Sequence, residues 1–140
     1  MTNAVNRLII DLRGICMAEI MSKNECELFL EDVLEIGRRL VETGAEVKRV
    51  EDTITRICTA YGFADCEIYA VTSLIVATIK DAQGNHFTQS VRVASYGTDL
   101  GRLEELNAFS REICQNKPDV EALTQSIRGY QKPKPKPVIK

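Results

Sequence analysis

Residues 66–95 read "CEIYAVTSLIVATIKDAQGNHFTQSVRVAS", and over this stretch apolar residues recur every second position rather than every third or fourth. The runs "CEIYAV", "SLIVATIK" and "HFTQSVRVAS" are rich in β-branched and aromatic residues, which suit a pleated surface. Thr72 and Ser73 break the first run from the second, and "DAQGN" carries turn chemistry between the second and third. Phe87, Val91 and Val93 alternate with Thr88, Ser90 and Arg92, as in a sheet with one covered face. The middle run is nearly all apolar and is placed centrally. The stretch therefore predicts a three-stranded antiparallel meander, and something else must supply its cover.

Helices on both sides of it can do so. Upstream, Phe29, Val33, Ile36 and Leu40, with Leu30, Leu34 and Val41 beside them, form a wide apolar stripe at helical period from Lys23 onward. Ser22 and Glu25 make an S-x-x-E capping box before it, and Gly44 stops it. A second helix from about Ala45 to Tyr61 shows Val47, Val50, Ile54 and Ile57 on one face and ends at Gly62. So short a connection predicts an αα-hairpin. Downstream, Thr98 or Asp99 caps a helix through Leu103, Leu106, Phe109, Ile113 and Cys114. "KPDVEALTQSI" starts another, with Pro118 early in its first turn. The expected fold is α+β: helical hairpin, three-stranded antiparallel meander, then two helices, with the helices packed on one sheet face. Residues 1–20 read as an extra helix (Leu8, Leu12, Ile15) or an upstream extension, 21–130 as the domain, and 131–140, "QKPKPKPVIK", as a polyproline-like linker or tail.

Composition excludes several classes. A net charge of −2 and low aromatic content, without tryptophan, argue against a nucleic-acid partner. Five cysteines (Cys16, Cys26, Cys58, Cys66 and Cys114) show no CxxC spacing and read as reduced thiols. His86, the single histidine, sits in the "GNH" turn without metal-ligand spacing, so no metal or other cofactor is expected. No run approaches the roughly 20 apolar residues of a membrane-spanning helix, so the chain as written reads as soluble.

Two polar clusters remain. In "GAEVKRVEDTITRI", residues 44–57, Glu46, Arg49 and Thr53 share a helix face, while Lys48, Glu51, Asp52 and Thr55 lie away from the Val/Ile stripe. Such a pattern fits a solvated helix laced with pairs (Glu46 with Arg49, Lys48 with Glu51 or Asp52), or a polar site with displaced carboxylate pKa values. In "YGTDLGRLEELNAFSRE", residues 96–112, Asp99 suits a helix N-terminus. Asn107 and Ser110 share a face there, and Arg111 lies one turn from Asn107. Bridging Asn107 to the Glu46–Arg49 face would make a polar seam between helices. Ser110 lacks a neighbouring base and a nucleophile elbow, which makes it a poor nucleophile. Thr72–Ser73 and "YGTD" could share one end of the domain as a hydroxyl-rich rim, though simple turn capping is the preferred reading.

These two clusters, in this order around the strands, resemble the cytoplasmic N-terminal domain of the threonine/serine exporter family. Leu40, Gly44, Ala45, Glu46, Arg49, Val50, Glu51, Asp52 and Thr53 fill that family's first element, and Gly97, Thr98, Asp99, Leu100, Leu106, Asn107, Ser110 and Arg111 its second. The resemblance covers about residues 28–128. It implies membrane transport: export of amino acids or small dicarboxylates by a cell-membrane protein whose soluble domain faces the cytoplasm. The implied partners are the membrane-spanning part of the same or a partner subunit, a small amino-acid or dicarboxylate substrate, and a second copy of the chain. Where that pattern continues into membrane helices this sequence stops at "KPKPKPVIK", the expectation being a separate domain, a truncated reading frame or half of a split system.

The leading expectation is thus a non-catalytic module at the pore mouth, its candidate contacts being Glu46, Arg49, Glu51, Asp52, Asp99, Asn107, Ser110 and Arg111. Guanidinium groups such as Arg49 and Arg111 can hold a carboxylate bidentately. The competing expectation is a small hydrolase of amides or peptides with Glu46, Glu51 or Asp52 as general base. A third is a truncated fragment without function.

Overall fold

A computed structural model describes residues 17–129, so the readings of the opening helix through Leu8, Leu12 and Ile15, and of the Lys/Pro tail, lie outside the described residues. Five helices and three strands follow in the order α1 (Met17–Ile20), α2 (Lys23–Glu42), α3 (Val47–Ala60), β1 (Asp65–Val71), β2 (Leu74–Lys80), β3 (His86–Arg92), α4 (Leu100–Asn116) and α5 (Val120–Gly129). The expected α+β order of hairpin, meander and two helices is the observed one.

The strands pair antiparallel in the order β1-β2-β3. Register aligns Cys66 with Ile79 and Phe87, Ile68 with Ala77 and Gln89, and Ala70 with Ile75 and Val91. This row set is the covered face: Ala70, Ile75, Ala77, Ile79 and Phe87 are buried. The opposite face carries Tyr69 and Leu74 exposed and a Thr78–Thr88 hydroxyl pair at 2.8 Å. Period two thus divides each strand between core and water.

Helix α2 lies over β2 and β3, α3 lies over β1, and α4 and α5 pack onto these two helices. The capping box starts α2 as its sequence predicts, with Ser22 Oγ accepting from the Glu25 N–H at 3.2 Å and Glu25 returning the bond at 3.1 Å. Phe29 is wholly buried between Tyr61 and Phe63, ring centroids 4.5 and 5.3 Å away. Gly37 allows the close crossing of α2 with its neighbours: a Cβ there would stand 2.7 Å from Ile54 Cδ1 and 3.1 Å from Ile75 Cδ1. Upstream of Met21, Ala18 is buried and its N–H donates to the Tyr61 carbonyl at 2.8 Å.

Polar links then fasten the last helix. Asp32, buried on α2, accepts from the Thr124 hydroxyl at 2.5 Å, and Arg39 Nη1 donates to the Ile127 carbonyl at 3.2 Å. The Tyr61 phenol donates to the Pro118 carbonyl. Pro118 itself precedes α5 rather than sitting in its first turn, where it was expected. Asp119 takes the capping role, its Oδ1 accepting from the Ala122 N–H at 2.8 Å.

Candidate functional site

The two polar clusters meet through their loops before they meet through their helices. Gly44, just after α2, has φ 99°, a left-handed conformation that glycine adopts without steric cost. An added Cβ would stand 2.7 Å from the Gly97 carbonyl oxygen. Around this contact the Gly97 N–H donates to the Glu42 carbonyl and the Asp99 N–H to the Thr43 carbonyl, each at 3.0 Å. "TGAE" and "YGTD" are therefore one backbone junction. It fixes where α3 and α4 begin.

Running on from that junction, α3 and α4 flank a groove of about 720 Å³. Arg49, Asp52, Thr53 and Arg56 contribute from α3, and Asn107, Ser110, Arg111 and Cys114 from α4, with Thr55, Thr59, Ala60 and Gln115 completing it. Three guanidinium groups thus face one carboxylate, and among the described residues none of Arg49, Arg56 and Arg111 is in an ion pair. Thr53 and Ser110 spend their hydroxyl protons on their own helices, donating to the Arg49 and Asn107 carbonyls at 2.9 and 2.8 Å. Their oxygens still have lone pairs to accept with.

Each sequence candidate can now be placed. Arg49, Asp52, Asn107, Ser110 and Arg111 come together in the groove. Glu46 does not line it: this exposed residue is the N-cap of α3 and makes no side-chain capping bond. Asp99 is the N-cap of α4, its Oδ1 accepting from the Arg102 N–H at 3.1 Å. Glu51 points to the sheet, where its Oε2 accepts from the Ala70 N–H at 2.9 Å.

That last placement corrects the grouping of Glu51 with Asp52 on one solvated side. Adjacent helical residues point about 100° apart, so one borders β1 and the other the groove. The expected pairs of Glu46 with Arg49, and of Lys48 with Glu51 or Asp52, do not form either. Ion pairs among the described residues sit instead on α2, where Arg38 meets Glu35 and Glu42, and Arg39 meets Glu35 at 2.8 Å. The clustered guanidinium groups hold the Glu35 carboxyl below its ordinary range even though burial, the largest influence, pushes the other way.

Sequence reasoning missed Arg56, Thr59, Cys114 and Gln115 as groove residues. The signal was present in the spacing: 49, 52, 53 and 56 on α3, and 107, 110, 111 and 114 on α4, step by three and four along one face. A second hollow, of about 440 Å³, lies between α2, β3 and α5, with Asp32, Glu35 and Arg39 in its wall. Burial there raises the Asp32 pKa, outweighing the hydrogen bond from Thr124.

Among the described residues no group of three or more His, Cys, Asp or Glu side chains could hold a metal ion, and no helix is long and apolar enough to cross a membrane. The comparison with known families points to transport proteins. Residues 32–138 match the family described as "Putative threonine/serine exporter", a span that takes in both signature loops, the sheet and the whole groove. The chain belongs to this threonine/serine exporter family. No curated protein and no solved structure matches it.

Proposed function

We propose that this domain is a non-catalytic, cytoplasmic module of an amino-acid or dicarboxylate exporter, and that its α3–α4 groove binds a carboxylate-bearing solute near the mouth of the pore. One observation carries the reading: Arg49, Arg56 and Arg111 line one groove with a single carboxylate, Asp52, and among the described residues none of the three has an ion-pair partner. These three guanidinium groups are exposed, and together beside one carboxylate they favour an anion, their planar donors matching a carboxylate two at a time. Asn107 and Gln115 add amide donors, and Asp52 suits the ammonium of an amino acid.

Support for a binding rather than hydrolytic role comes from the same placements. Glu51 is engaged with a backbone N–H, Glu46 lies off the groove, and Ser110 has its proton on a helix carbonyl. Calorimetric titration of the chain with threonine, serine and succinate tests the proposal. Binding of at least one is expected, with Arg49→Ala and Arg111→Ala each weakening it about ten- to a hundred-fold, the worth of a charged hydrogen-bonded contact. No heat from any of the three, or binding unchanged in both variants, would overturn it. Turnover of a peptide or ester by the isolated chain would do the same.

A further inference from the structure

Exposed apolar side chains gather at one end of this domain. Helix α2 finishes there, where the junction bonds hold Glu42 to Gly97 and Thr43 to Asp99. Helix α3 begins there, and the bond from the Ala70 N–H to Glu51 brings the end of β1 alongside. Strand β1 turns into β2 through Thr72 and Ser73 at the same end, in the row that aligns Val71 with Leu74 and Arg92. Among the described residues the exposed large apolar side chains are Ile20, Leu28, Tyr69, Leu74, Tyr96 and Leu100. The last four belong to this end: Tyr69 and Leu74 on the open sheet face, Tyr96 and Leu100 at the entry to α4, 72% and 70% exposed. The helices pack on the other face of the sheet and leave all four to solvent.

The chain also leaves the domain in this direction. Along α2, Asp32 meets Thr124 and Arg39 meets Ile127, so α5 runs the same way as α2 and finishes at Gly129 towards the end where α2 finishes. The next eleven residues, "YQKPKPKPVIK", hold Lys132, Lys134, Lys136 and Lys140 and no acidic residue. At no more than about 3.6 Å per residue, Lys132, Lys134 and Lys136 lie within about 25 Å of Gly129 whatever path the chain takes. The end itself is close to neutral: Lys48 and Arg92 are exposed there beside Glu46 and the helix-capping Asp99. The tail therefore sets its sign. Uncovered Tyr and Leu side chains and a run of unpaired positive charge thus meet at one end of one domain.

We propose that this end is a lipid-contact surface, resting on the anionic face of a bilayer with Tyr96 and Leu100 in the headgroup layer and the tail lysines on acidic headgroups. It rests on the reading of the chain as part of a membrane protein, and not on the groove binding a solute. A bilayer surface answers both features together. Tyrosine suits the headgroup layer because its ring is apolar and its hydroxyl stays wet, and a leucine beside it adds apolar area. Lysines just outside an anionic leaflet are each attracted strongly enough to tighten binding about fivefold. Neither set suffices by itself: a few exposed apolar side chains hold weakly, and a basic run alone is released by salt. Together they make a two-part anchor that needs no membrane-spanning helix.

Sedimentation of the 140-residue chain with vesicles tests this. Vesicles of phosphatidylcholine with about 30% phosphatidylserine should carry the chain down, and neutral phosphatidylcholine vesicles or about 0.5 M salt should weaken binding at least tenfold. Joint substitution Tyr96→Ser and Leu100→Ser should weaken it about tenfold, and Lys132→Gln with Lys134→Gln about twenty-five-fold. Ile20→Ser, equally exposed but off this end, should leave it unchanged. The urea midpoint of each variant reports that the fold is intact. Failure to sediment with anionic vesicles would overturn the proposal and leave this end to a protein partner. So would binding that ignores Tyr96 and Leu100, which would belong to the tail alone, or that falls as much with Ile20→Ser. Solute titration without lipid reads the groove separately, so loss of vesicle binding with solute binding intact refutes the lipid contact alone.

Discussion

Replacing Gly44 by alanine probes the junction that sets the groove. Gly44 has φ 99°, and holding an alanine in that region costs about 1–3 kcal/mol. The new methyl group would also meet the Gly97 carbonyl oxygen at 2.7 Å, and backbone, unlike a side-chain tip, cannot swing aside. Relief requires the two loops to part, which strains the Gly97–Glu42 and Asp99–Thr43 backbone bonds, worth about 1 kcal/mol each. The expected loss is about 2–4 kcal/mol, a large share of the roughly 5–15 kcal/mol that holds a domain folded. Urea unfolding followed by circular dichroism measures it: the midpoint should fall by about 1–2 M with the slope unchanged. Gly84→Ala is the control, since Gly84 has φ 90° but nothing within 4 Å of its added Cβ. It should lose only the conformational part. Equal losses in the two variants would refute the claim that the loops are in hard contact, and a Gly44→Ala loss under about 0.5 kcal/mol would refute the whole account.

Other perturbations follow from single bonds. Tyr61→Phe keeps the ring against Phe29 but removes the donor to Pro118; it should lower the melting temperature by about 2–4 °C, a cost near 1 kcal/mol. Glu51→Gln keeps an acceptor for the Ala70 N–H and should leave stability and any solute binding nearly unchanged, whereas Glu51→Ala should cost about 1 kcal/mol in urea unfolding. Asp32 gives a pH signature. Burial raises its folded pKa, so its contribution to stability is present in full below the unfolded value near 3.9 and is lost as pH rises through the folded one. Asp32→Asn, which still accepts from Thr124, should match or exceed the parent in stability at pH 7. The parent should regain ground as the pH is lowered towards 4.

The elements were legible because each carries its own punctuation. Ser22 and Glu25 open α2, Gly44 and Gly62 close the helices of the hairpin, and alternation through Phe87, Val91 and Val93 marks β3. Part of the groove was legible for the same reason, since Arg49 and Asp52 on α3 and Asn107, Ser110 and Arg111 on α4 fall at helical spacing. What sequence could not assign was direction at the edges of a helix face. Glu51 and Asp52 look equivalent until β1 is laid beside one of them.

The Glu51–Ala70 bond has a consequence beyond the helix that makes it. β1 is an outer strand, and an outer strand offers its free amides to any passing chain that can act as a further strand. At Ala70 that place is taken by a carboxylate oxygen. One amide of β1 is thereby occupied by the protein's own chain, and a strand docking along β1 would meet a carboxylate at Ala70 where it would need a carbonyl.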